Sequence, residues 1–103
     1  MILTTTENIP GREYDIVGLA RGSTVQTKNV GKDIMSGLKG LVGGEITAYT
    51  DMMNEARAIA TKRMVEDAMA QGADAIVCFR YASSSIMQTA SEVIAYGTAV
   101  KLR

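Results

Sequence analysis

The side chains able to do chemistry are few: one cysteine, seven methionines, no histidine, and a scatter of carboxylates. A closed zinc site takes three or four N, S or O ligands. With Cys78 as the sole thiol, a single chain offers only that thiol, carboxylates and thioethers. Met35, Met52, Met53, Met64, Met69 and Met87 are soft donors of the kind that suit Cu(I). Their commoner use is to fill a small core. Cys78 lies in the apolar run Ile76-Val77-Cys78-Phe79 and reads as a buried small hydrophobe. A soft-metal site at Cys78 therefore needs symmetry, with thiols from several copies of the chain meeting around an axis.

The carboxylates offer a harder chemistry. Asp51 and Glu55 stand four residues apart on one helical face, with Glu45 earlier on the same segment. Such a set can hold a hard cation or do acid–base work, and the plain alternative is a solvated helix face. Glu55 and Arg57 also suit an ion pair between subunits. The run Gly37-Leu38-Lys39-Gly40-Leu41-Val42-Gly43-Gly44 lacks the Gly-Lys-Ser/Thr ending of a phosphate loop and does not follow a strand directly. It reads as packing and turn, with Lys28, Lys32 and Lys39 around it. Ser83-Ser84-Ser85 has no histidine to activate it, which excludes a Ser-His triad.

Periodicity says which elements carry these residues. Met1 to Thr5 is β-prone, and Pro10-Gly11 is turn chemistry. Tyr14 to Thr27 is a strand in which alternation sets Tyr14, Ile16, Gly18 and Ala20 against Asp15, Val17, Leu19 and Arg21. Gly18 and Gly22 within it imply a bulge or a close backbone approach. Val30, Ile34, Leu38 and Val42 recur every fourth residue, the mark of a short helix. Glu45 to Gln71 holds no Pro or Gly and carries an apolar stripe of Ile46, Tyr49, Met53, Ala56, Ala60 and Met64, so it is a long helix ended by Gly72. Lys62–Glu66 and Arg63–Asp67 are candidate i,i+4 pairs along it. Ala73 to Met87 and Ser91 to Leu102 read as an antiparallel hairpin. Alternation groups Ala75, Val77, Phe79 and Tyr81 on one face of the first strand and Ile76, Cys78 and Arg80 on the other. In the second strand Ile94, Tyr96, Thr98, Val100 and Leu102 oppose a row of small residues, Val93, Ala95, Gly97 and Ala99.

The expected fold is one α+β domain: a small antiparallel sheet with one long and one short helix packed on one face. The other face, with nothing in the chain to cover it, calls for a second subunit. At 103 residues the chain fits one domain. Its 11 basic and 11 acidic residues form no basic stripe, which argues against nucleic acid. No apolar run approaches the roughly 18 residues of a membrane span. The N-terminus has no leader-like pattern, and a cytoplasmic location is the expectation.

Thr27-Lys28-Asn29-Val30-Gly31-Lys32-Asp33-Ile34, the glycine-rich run to Ile46, Tyr49-Thr50, Asn54-Glu55-Ala56-Arg57, Gly72-Ala73-Asp74-Ala75-Ile76-Val77 and Tyr96-Gly97-Thr98-Ala99-Val100 together resemble the YbjQ family over the whole chain. The resemblance implies a sheet with a long helix on it, assembled into a ring, typically a homopentamer. It also implies a heavy or soft metal ion as the cofactor, with no agreed ligand set; Cys78, Glu45, Asp51 and Glu55 are the residues here that would hold one. Two functions from different classes follow. One is a non-enzymatic oligomer binding a soft metal or small ligand at subunit interfaces. The other is an enzyme using Glu45, Asp51 or Glu55 with Arg57 in a cleft between subunits. A purely structural scaffold is the third reading. The absence of histidine and of any cofactor motif favours the first.

Overall fold

The computed structural model describes residues 1–27, 44–87 and 90–103, with the backbone alone at 27, 44–49, 86–87 and 90. Strands β1 (Ile2–Leu3), β2 (Tyr14–Thr27), β3 (Ala75–Met87) and β4 (Ala90–Leu102) form one sheet in the order β1-β3-β4-β2. Helix α1 (Gly44–Ala70) lies across it. The short helix expected at Val30–Val42 falls outside the described residues. β3, β4 and β2 are antiparallel neighbours as expected, but β1 runs parallel to β3, so the sheet is mixed. Nothing in the Met1–Thr5 run specifies its partner, so this pairing was not legible in the sequence.

The helix binds the sheet through small residues. Ala56, Ala60, Met64 and Ala68 are fully buried, one every four residues, against Ala20, Ile76, Val93, Ala95 and Ala99. Met53 packs at the margin of this cluster. From Met53 to Met64 the stripe lies as the periodicity placed it, continued to Ala68, while the side chains of Ile46 and Tyr49 fall outside the described residues. Gly22 marks the closest approach: a Cβ there would collide with the backbone of Ala60, Arg63 and Met64. A methyl-sized gap is therefore part of the helix seat. The helix ends in a Schellman turn, with Gly72 at φ 83° and the Ala73 N–H donating to the Ala68 carbonyl at 3.0 Å.

Besides a register shift at the far end of β3, between Ser85 and Met87, two bulges reset the alternation. One lies between Ile16 and Gly18, the other between Val77 and Arg80 around Cys78, which adopts φ 57°. Each inserts one residue and swaps the faces beyond it. Ile16 therefore shares a face with Leu19, not with Gly18 and Ala20. Likewise Ile76 joins Phe79 on the helix side, while Ala75 and Val77 lie on the other. Tyr81 follows Phe79 there, its hydroxyl 2.8 Å from that of Thr61 on α1.

Candidate functional site

The face of the sheet away from the helix is where the chemistry-bearing residues of the strands collect. One end of it is covered by the chain itself, which corrects the expectation of a wholly bare face. Segment 4–13 runs from the β1 edge to β2 on the opposite edge, and Ile9 packs over Ala75, Val77 and Val100 with Tyr14 and Leu102. The Thr6 carbonyl accepts the Cys78 N–H at 3.1 Å, and the Thr4 carbonyl accepts that of Phe79 at 3.0 Å. The Tyr14 hydroxyl donates to the Glu7 carbonyl at 2.7 Å.

Cys78 sits beside this crossing. Its side chain packs at the edge of the Ala75–Val77–Val100 cluster and is half-buried. The expectation of a fully buried thiol is corrected to a half-buried one: Cys78 stands on the open face at a left-handed φ, a conformation uncommon outside glycine. Asp51 and Glu55 are exposed on α1, and Glu45 lies in the first turn, where only backbone is described. Arg57 donates to the Asn54 side chain at 2.5 Å and forms no ion pair with Glu55 within the chain. Among the described residues no three of the Cys, Asp and Glu side chains converge as a metal-binding group. One chain, so far as it is described, does not fit a metal ion.

Beyond the Ile9 cover the open face carries large apolar groups in water. Ile16 is 71% exposed, Leu19 60%, Val25 50% and Tyr96 39%. The register sets them on one surface: Ile16 lies opposite Val100, Leu19 opposite Thr98, Arg21 opposite Tyr96, Ser23 opposite Ile94 and Val25 opposite Glu92. A cavity of about 310 Å³ opens here, lined by Arg21, Gly22, Ser23, Glu92 and Ile94. Sequence reading passed over Arg21 and Glu92, because a single charge in a strand looks like any solvated residue. Only the register brings the two to one cavity.

The outer edge of β2 is handled differently. Its unpaired backbone groups are met by polar side chains of α1 spaced every four residues. Arg63 donates to the Ser23 carbonyl at 2.7 Å, Asp67 accepts the Arg21 N–H at 3.1 Å, and Gln71 donates to the Leu19 carbonyl at 2.9 Å. Arg63 and Asp67 are thus engaged with the sheet edge in place of the i,i+4 ion pair that their spacing allowed. Such capping blocks strand addition along this stretch.

Comparison with known proteins agrees with this architecture. A family model described as "putative heavy-metal-binding" matches residues 1–103. A UPF0145 protein of Clostridium novyi is 63% identical over 102 residues, covering 99% of each chain. Another, of Vibrio campbellii, is 58% identical, again covering 99% of each. One from the archaeon Methanosarcina acetivorans is 55% identical over 99% of this chain and 97% of its own. Among solved structures, a DUF74-family protein of unknown function from Pediococcus pentosaceus superposes with a TM-score of 0.72 at 16% identity, covering 100% of this chain and 98% of that one. At that identity the likeness speaks for the fold alone.

Proposed function

This chain belongs to the YbjQ family, and we propose that it works as a homo-oligomeric binding protein whose ligand is held between subunits. The observation that carries the reading is the open sheet face, with Ile16, Leu19, Val25 and Tyr96 exposed together. A lone domain gains nothing from presenting four such groups on one surface. The shape argues the same way. The radius of gyration is 16.9 Å and the extents are 56 × 23 × 16 Å, against about 13 Å for the radius of a compact chain of roughly 100 residues. A long, thin subunit buries little by itself and much when stacked on copies of itself. A further copy is the occupant we assign to the face, because balanced charge gives no strong field for a partner of opposite sign. A pentameric ring, the assembly that the family resemblance implies, is the stoichiometry we propose.

The family's metal description fits this reading only through the assembly, since one thiol per chain does not make a site. Cys78 on the open face is the donor that copies could bring together. Native mass spectrometry and sedimentation equilibrium test both levels. The expected result is a defined multiple of the 11.0 kDa chain, and a monomer at micromolar concentration overturns the proposal. Titration of the assembly with Cu(I) before and after Cys78→Ser tests the soft-metal version. Tight binding lost in that variant supports it, and equal binding by both proteins removes Cys78 from the site.

A further inference from the structure

We infer that the cavity over Ser23 and Ile94 is a binding site for a small linear zwitterion, with its carboxylate at Arg21 and its ammonium at Glu92. The inference rests on the reading of this face as the ligand-binding one and names the class of ligand. Four observations carry it. First, the volume of about 310 Å³ lies at the lower end of the range of small-molecule pockets, roughly 300–1,000 Å³. Second, the walls carry opposite charges, and among the described residues the Arg21 guanidinium and the Glu92 carboxylate make no ion pair and no side-chain hydrogen bond. Other arginines are engaged. Arg57 holds Asn54, Arg63 holds the Ser23 carbonyl, Arg80 holds the Thr5 carbonyl and Arg103 holds Asp15.

Third, the two charges are separated by a known register. Arg21 lies opposite Tyr96, and Glu92 is four residues from Tyr96 along β4, beside Val25. At about 3.4 Å per strand residue that sets their Cα atoms roughly 13–14 Å apart along the strands. The two side chains can reach toward each other, but the gap suits a ligand with its charges held apart rather than a simple anion or cation. A lone anion at Arg21 would feel Glu92, and a lone cation at Glu92 would feel Arg21. Fourth, the floor between them is Ile94 beside the Ser23 hydroxyl, an apolar surface with one hydrogen-bonding group. That floor matches a short methylene or peptide spacer. The pocket wall is also rigid, because Asp67 and Arg63 clamp the backbone of Arg21 and Ser23 from the helix side. A fixed backbone lowers the ordering cost of binding.

The test is titration of the native protein with ε-aminocaproate, hexanoate and hexylamine, followed by backbone amide NMR shifts and calorimetry. ε-Aminocaproate is expected to shift the amides of Gly22, Ser23 and Ile94 and to bind at least about tenfold more tightly than either singly charged analogue, a difference of about 1.4 kcal/mol. Arg21→Gln and Glu92→Gln should each remove most of that advantage. The exchanged pair, Arg21→Glu with Glu92→Arg, should restore it with the ligand reversed. Equal binding of hexanoate and ε-aminocaproate, or no shift at these amides, overturns the inference. Sedimentation of the same samples separates the two readings. An oligomer that ignores the zwitterion sinks the ligand assignment alone, whereas a monomer that binds it sinks the interface and leaves the site standing.

Discussion

The two faces of this sheet solve opposite problems with opposite side chains. Under the helix the strands offer Ala20, Gly22, Thr24, Val93, Ala95, Gly97 and Ala99, and the helix answers with Ala56, Ala60 and Ala68 around one large residue, Met64. Small against small lets the two backbones approach closely, and Ala56, Ala60, Met64 and Ala68 keep no exposed surface. On the far face the same strands offer Ile16, Leu19, Val25, Ile94 and Tyr96, larger groups with gaps and charges between them. The first face is finished within one chain. The second is built from the side chains that proteins ordinarily bury, yet only its end beneath Ile9 is covered by described residues. The difference separates folding from assembly: substitutions under the helix should strike stability, and substitutions on the open face should strike association.

The largest effect is therefore expected at Ala60→Glu. Ala60 is fully buried against the strand at Gly22, and a carboxylate there has neither room nor partner. An unpaired buried charge costs several kcal/mol, a large share of what a chain this size has. The variant should fail to fold or melt far below the parent by circular dichroism. Unchanged thermal stability would show that the helix is seated on some other stripe.

Leu19→Lys probes the other face and should divide the two properties. Leu19 is exposed in the single chain, so its replacement should leave the stability of the folded subunit within about 0.5 kcal/mol. Placed in an interface, a lysine opposite Thr98 would have to be buried, and the assembly should dissociate. Sedimentation velocity beside circular dichroism reads both. A variant that stays oligomeric with the parent's sedimentation coefficient would move the interface off this surface.

The sequence reading succeeded where one physical signal dominates and failed where two compete. β2 was read with the bounds it has, and α1 to within a residue, because strand alternation, helical period and the terminal Gly72 each speak clearly. The face assignments broke at Val17 and Cys78. A bulge adds one residue to a period of two, so every side chain beyond it changes side, and nothing in Ile76-Val77-Cys78-Phe79 announces the extra residue. Uninterrupted alternation puts Ile76 on the open face and Ala75 and Val77 under the helix, the reverse of where they lie. The methionines divided as well. Met64 fills the core as expected of a thioether, while Met69 stands exposed on α1. The cavity between Arg21 and Glu92 joins residues about seventy positions apart and depends on the β2–β4 register, which alternation alone does not supply.

The smallest effect is expected at the covered end of the open face, where Asp74 ties β3 to the end of β4. Its carboxylate accepts the Lys101 ammonium at 3.2 Å and the Leu102 N–H at 3.0 Å. The hydrogen bond from Lys101, then that from the Leu102 backbone, holds its pKa below the ordinary 3.8, with desolvation opposing. A carboxyl whose pKa is lowered on folding stabilises the fold fully at pH above its unfolded value. That contribution is lost as the pH falls through the folded value. Asp74→Asn should therefore melt slightly below the parent near neutral pH, and the two curves should converge in acid below the ordinary carboxylate range. Because both partners are solvent-exposed, the gap should also narrow as salt is raised. Melting curves across an acid series at low and high salt measure this. An asparagine oxygen can still accept the Leu102 N–H but cannot pair with Lys101, so the gap isolates the carboxylate charge, and a gap that persisted unchanged into acid would show that this charge is not its source.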